Sequence, residues 1–326
     1  MPSSGLPALA ERGTRSALLT LSRRRSLGRL ATRLPVTREM VRRFVSGETL
    51  EEALAALDRI RASGLATTVD VLGESVDSVE AATAAADRYL VLLSAIAERG
   101  PDPNVSLKLT QMGLDVDPAV CRANVERIFR RAAELGAFVR IDMEDHTKTD
   151  ATLGLWRDLR SVNPASGVVI QSALRRSATD VDRLIGEGAR VRLCKGAYKE
   201  PAAVAFQEKA EVDRSYVELM DRLLVEGVYP AIATHDPRII RRAIALAERE
   251  AIDPDRFEFQ MLYGVRRDLQ ERLVAGGWTV RVYVPFGQEW YPYFMRRLAE
   301  RPANVAFLLR SVLRERRGGD GVDRPA

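Results

Sequence analysis

Lysine is scarce in this 326-residue chain. Five of its 50 basic residues are lysine (Lys108, Lys148, Lys195, Lys199 and Lys209), and the rest are arginine. Lys108 stands between Leu107 and Leu109. A compact, titratable ammonium in an apolar run suggests that the position needs that cation. It can pair or hold a polar ligand or, if deprotonated, act as a Schiff-base nucleophile. Other polar residues sit at alternate positions of apolar runs: Ser106 and Thr110 beside Lys108, then Arg140, Asp142 and Glu144. Gln171, the pair Arg192 and Cys194, the set Glu258, Gln260 and Leu262, and the pair Arg281 and Tyr283 follow the same rule. Such charges are buried only if they pair or hold a polar ligand. Glu258 and Arg140 read equally well as structural partners.

Further candidates follow the apolar runs. Lys195-Gly196-Ala197-Tyr198 places a lysine before a small-residue turn and an aromatic; such a turn lets a ligand approach the backbone closely. Thr234-His235-Asp236 ends another run, with His235 a ligand contact or a cap. His146 reads as a polar loop residue. Near the C-terminus, Trp290, Tyr291 and Tyr293 precede Arg296 and Arg297, whose two planar forks suit one carboxylate.

Eight short β-branched or apolar runs must carry these groups: 67–73, 105–110, 138–143, 168–172, 191–195, 231–235, 257–262 and 280–284. Helical stretches separate them, among them 76–99, 118–135, 201–226 and 238–249. Asp117-Pro118 and Asp236-Pro237 are cap-plus-proline starts, and Gly136, Gly188, Gly227 and Gly276 are stops. Eight strand–helix repeats predict an α/β fold of the (β/α)8 type, a TIM barrel. The rival, a doubly wound sheet, usually has fewer strands and often a glycine-rich first turn; neither G-x-G-x-x-G nor a Walker motif is present. Alternate side chains of a strand face opposite ways. The apolar parity must meet the helices, so the polar parity lines the lumen, near the strand C-termini where barrel sites form.

Composition narrows the function. Residues 1–45 carry ten arginines against Glu11 and Glu39, a net of +8, which leaves −3 of the total +5 for the remainder. That body has no basic face with interleaved aromatics, so nucleic acid is disfavoured. Two cysteines and two histidines are too few for a disulfide framework or a metal centre. The longest uncharged stretch, 161–174, is too short and polar to span a bilayer, and no apolar signal core is found. A cytoplasmic location is expected. The expected division is a basic helical arm over 1–64, the barrel over 65–315 and a disordered tail over 316–326. The arm packs on the body or meets an anionic membrane surface at the inner face.

Several segments together resemble the proline dehydrogenase family: Val105-Ser-Leu-Lys-Leu-Thr110, Val139-Arg-Ile-Asp-Met-Glu144, Val191-Arg-Leu-Cys-Lys-Gly-Ala-Tyr198, Ala233-Thr-His235, Phe257-Glu-Phe-Gln-Met-Leu-Tyr-Gly264, and Val282-Tyr-Val-Pro-Phe-Gly287 with Arg296-Arg297. They run in the family's order over roughly residues 65–315. The resemblance implies a distorted barrel with its last helix over the mouth and FAD at the strand C-termini. It implies oxidation of L-proline to Δ1-pyrroline-5-carboxylate, with electrons passed to a membrane quinone. The length implies the monofunctional type, which leaves a pyrroline-carboxylate dehydrogenase as a separate downstream partner.

Carried over by motif, Lys108, Arg296 and Arg297 resemble the carboxylate holders, and Tyr198, Leu262 and Tyr283 the walls of the substrate site. Asp142 matches the active-site aspartate, expected to pair with Lys108. Arg192 matches the arginine at the flavin N5 edge. Gln171, Lys195, Gly196, Ala197, Thr234 and His235 match FAD-contacting positions. Lys199-Glu200 stands where many relatives have tryptophan. The alternatives are a Schiff-base aldolase using Lys108 or Lys195, a folate-type flavin reductase fed by nicotinamide, and a non-catalytic binding barrel.

Overall fold

Asp70 in the first strand neighbours Ser106 in the second and Pro285 in the eighth, and this pairing closes the sheet. The strands are β1 (Ala66–Val71), β2 (Asn104–Leu107), β3 (Phe138–Ile141), β4 (Ser166–Gln171), β5 (Arg190–Cys194), β6 (Ala231–Ala233), β7 (Glu258–Leu262) and β8 (Val280–Phe286). All pair in parallel, in sequence order, as one closed barrel. The structure, a computed structural model, describes residues 41–100, 102–291 and 293–295. Arg296, Arg297, most of the basic arm and the tail lie outside them.

Helix α1 (Leu50–Ala62) precedes β1. The strands are then joined by α2 (Val79–Ala97), α3 (Pro118–Glu134), α4 (Thr149–Leu159), α5 (Ser177–Gly186), α6 (Lys209–Glu226), α7 (Pro237–Arg249) and α8 (Arg267–Ala275). The start signals act locally. Thr49 and Glu52 form a reciprocal capping box on α1. Asp117 and Asp236 accept the N–H groups of Ala119 and Arg238 ahead of Pro118 and Pro237.

Two helix limits differ from expectation. The first crossover helix begins at Val79, not residue 76, because Ser78 caps it while Val76 N–H is bound to Thr110 O. The long helix begins at Lys209, not at Pro201. Residues 201–208 are drawn away by a bridge between Leu174 and Ala205 and by Phe206 N–H donating to Ala173 O.

The apolar core lies between strands and helices, as the parity argument requires. Val105, Leu107, Val139, Ile141, Val191, Leu193, Phe259 and Met261 are buried there with Leu92, Leu93, Ile96, Ile128 and Phe129. Gly167 of β4 is imposed by the lumen. A Cβ there would lie 2.1 Å from Arg190 O and 3.1 Å from the Arg140 guanidinium.

By its contacts the chain divides into two units. Ser46–Gly287 holds α1 and the barrel; Met1–Val45 joins Gln288–Ala326. Within the second, the rings of Phe44 and Phe294 lie 6.2 Å apart. Among the described residues no helix is long and apolar enough to cross a membrane.

Candidate active site

The expected site residues gather toward one mouth of the barrel, most of them at strand ends. Lys108 follows β2, Asp142 follows β3, Gln171 ends β4, Lys195 follows β5, Thr234 and His235 follow β6, and Leu262 ends β7. Tyr283 lies within β8, and Arg192 rises from the middle of β5.

Four of these residues touch. Arg192 donates through Nη1 to Asp142 Oδ1 at 2.6 Å and through Nη2 to Ser106 Oγ at 2.9 Å. Tyr283 Oη donates to Asp142 Oδ2 at 2.9 Å, and the Arg192 guanidinium lies 5.3 Å from the Tyr283 ring centre. Lys108 Nζ is 3.4 Å from Tyr283 Oη and 3.7 Å from Asp142 Oδ2.

The expected Lys108–Asp142 ion pair is present, at 3.7 Å, but it is not the tightest contact of the lysine. The nearer partner of Lys108 is Asp70, whose two carboxylate oxygens accept at 3.0 and 3.1 Å. Asp142 is taken up by Arg192 and Tyr283. Asp70 was missed as a site residue, although a signal is visible: it shares a face with Thr68 and is the one charged residue of β1.

The cluster balances in charge, with Lys108 and Arg192 against Asp70 and Asp142. Burial alone would lower the pKa of the Lys108 ammonium. Asp70 and then Asp142 outweigh that and hold it above its ordinary value. Lys108 is therefore a fixed cation, suited to an anion and not to nucleophilic attack. Burial pushes the Tyr283 phenol far up, so it acts as a neutral donor.

Around the mouth, Glu144 accepts Thr110 N–H at 3.0 Å and Thr110 Oγ1–H at 2.5 Å, while its carbonyl accepts Gln171 Nε2–H at 2.6 Å. Burial raises the Glu144 pKa against those two bonds. Lys195 donates to Asp213 at 2.5 Å, and Asp213 also holds Lys209. His235 Nε2 accepts the N–H of Leu262 at 2.9 Å, which leaves the ring proton on Nδ1 in the neutral imidazole. Capping of α7 falls to Asp236, whose pKa drops to about 2 beside Arg238.

Gly196 has φ +107°, and a Cβ there would meet Gln171 Oε1 at 2.8 Å. Ala197 and Tyr198 follow, half-buried. His146 is more than a loop residue: its N–H and Nδ1 contact the two carboxylate oxygens of Glu200, at 2.9 and 2.5 Å. This ties the loop after β3 to the loop after β5.

The opposite end of the barrel is closed by ions. Glu258 accepts from Arg281 Nε at 3.0 and 2.9 Å, and Arg281 also reaches Asp102 at 2.6 Å and Thr67 O at 2.8 Å. The alternative pairing of Glu258 with Arg140 is not formed. Arg140 instead donates to the carbonyls of Val168 and Arg190.

A closed (β/α)8 barrel with a buried, charge-balanced cluster at its strand C-termini defines a barrel enzyme with a polar lumen. The family model described as proline dehydrogenase matches residues 53–310. A proline dehydrogenase of Deinococcus radiodurans is 42% identical over 305 residues, covering 92% of this chain and 98% of that protein. Proline dehydrogenase 1 of Bacillus subtilis is 40% identical over 301 residues, covering 92% and 99%. Among solved structures, proline utilization A from Bdellovibrio bacteriovorus, inactivated by N-propargylglycine, superposes with a TM-score of 0.76 at 29% identity. That match covers 83% of this chain but only 34% of the other, so the chain spans about a third of that longer protein. The chain belongs to the proline dehydrogenase family, and it is an enzyme of that class.

Proposed function

We propose that the barrel oxidises L-proline to Δ1-pyrroline-5-carboxylate using FAD. The observation that carries this reading is Lys108, a buried ammonium held between Asp70 and Asp142 beside the Tyr283 hydroxyl, in a member of this family. A fixed cation at the mouth suits the carboxylate of a small zwitterion.

The residues present fit a flavin. Gly196 leaves open backbone beside Gln171. Arg192 keeps a buried Nε with no partner. Gln171, Arg192, Lys195, Gly196, Ala197, Thr234 and His235 would hold it. Bound FAD would supply a hydride acceptor, its N5, for the hydride equivalent of proline C5.

Lys108 binds the substrate carboxylate, joined by Arg296 and Arg297, which lie outside the described residues. Tyr198, Leu262 and Tyr283 form the walls around the ring. Arg192 stabilises negative charge developing nearby. Asp142 accepts from both Arg192 and Tyr283, so its oxygens are engaged. It maintains charge balance, and water takes the amine proton. A membrane quinone would be the electron acceptor, the basic arm would meet the membrane surface at its cytoplasmic face, and a pyrroline-carboxylate dehydrogenase would consume the product.

The test is the purified protein itself. A yellow protein bleached by L-proline and not by NADH is expected. Bleaching by NADH alone marks a folate-type reductase. A colourless protein trapped by borohydride with a carbonyl substrate marks an aldolase at Lys195 or Lys108. A colourless, untrapped protein marks a binding barrel.

A further inference from the structure

We propose that Asp70 is a positioning residue that holds Lys108 charged and aimed at the substrate carboxylate; this rests on the reading just given.

The geometry is specific. Asp70 is wholly buried and gives both oxygens to Lys108, at 3.0 and 3.1 Å. A bidentate grip on one ammonium fixes the end of a side chain that would otherwise rotate freely. Asp70 is itself held from outside the barrel. Tyr89, on α2, donates its hydroxyl to Ser106 O at 2.7 Å and lies 3.3 Å from Asp70 Oδ1. The same hydroxyl accepts Val71 N–H at 3.3 Å. Thus α2 locks β1 to β2 at the level where Lys108 emerges.

The charged and titratable groups facing Lys108 come from every side of the mouth. Asp70 belongs to β1 and Glu74 follows it, Asp142 follows β3, Tyr198 lies in the loop after β5, and Tyr283 is on β8. Of the carboxylates, Asp70 alone is within hydrogen-bonding distance; Asp142 is 3.7 Å away and already bound to Arg192 and Tyr283. Without Asp70 the largest opposing charge is gone, and burial weighs more heavily against the ammonium.

Asp70→Asn preserves the shape and removes the charge. Two readouts apply. With only five lysines in the chain, selective 13C/15N lysine labelling separates the Lys108 signal. In the unaltered enzyme it should not titrate between about pH 7 and about pH 10, whereas in Asp70→Asn it should. In steady-state assays, KM for L-proline should rise about tenfold, more than kcat falls. The ratio of variant to wild-type kcat/KM should fall further as pH rises. Tyr89→Phe should shift both readouts the same way, by less, and it decides the matter if Asp70→Asn fails to fold. A silent Lys108 signal and a pH-independent ratio in the folded variants would overturn the role of Asp70. Failure of the unaltered enzyme to oxidise proline would sink the substrate reading instead, and the lysine signal would still test Asp70.

Discussion

Arg192 and Asp142 are joined by a 2.6 Å hydrogen bond although β4 separates their strands. The same guanidinium reaches Ser106 on β2. One side chain therefore braces three positions around the lumen and fixes the carboxylate that Tyr283 also grips.

Asp142→Asn keeps the shape of that contact and removes its charge. A hydrogen bond to a charged group contributes about 1.5–3 kcal/mol, so turnover should fall about 10- to 100-fold. Rapid-mixing reduction by L-proline, with flavin content measured in parallel, checks this. Turnover and flavin content both matching the unaltered enzyme would show that the charge has no such role.

The barrel floor should carry acid sensitivity. Burial would raise the Glu258 carboxyl, but Arg281 overrides it and holds it below its ordinary value of 4.5. A carboxyl depressed on folding stabilises the native state above the unfolded value. That contribution fades as pH falls through the folded value. Glu258→Gln leaves Arg281 with half-exposed Asp102 as its remaining ion-pair partner, and should cost about 3–5 kcal/mol at neutral pH. Urea unfolding at several pH values should show the deficit shrinking below about pH 4.5.

Gly196→Ala should separate cofactor retention from folding. The new Cβ meets Gln171 Oε1 at 2.8 Å, and φ of +107° strains any other residue. A local cost of about 1–3 kcal/mol follows. Flavin loss on dialysis should accelerate, while thermal unfolding of the flavin-free protein moves by only a few degrees. Equal retention in both proteins would refute a cofactor role for this turn.

The His146–Glu200 contact should restrain the loop after β5. Lys199 is exposed beside it. In His146→Ala, trypsin should cut after Lys199 several times faster; an unchanged rate would mean that the loop is held by its other bonds.

The barrel was legible because side-chain parity is local. Alternation alone put Lys108, Asp142, Arg192 and Tyr283 on the face where the structure brings them into contact. Partner choice was not legible, because parity gives a face and not a register. Glu258 meets Arg281, two places before Tyr283, only because Gln260 lies opposite Arg281. Asp70 is harder to read because Thr67 and Thr68 put polar side chains on both faces of its strand, which blurs the alternation. The start of α6 escaped notice because Ala205 is captured by Leu174, a contact distant in sequence.

The lumen also bears on heat. Its interior layer is ionic where many barrels are aliphatic: Arg140, Arg192 and Arg281 with Asp142 and Glu258 are all buried. Dehydrating ions becomes less costly as temperature rises, while apolar stabilisation per unit area levels off. The two layers of this barrel thus age differently on warming. The inner one loses less of its hold than the outer, so thermal unfolding should begin in the helical shell and reach the reaction centre last.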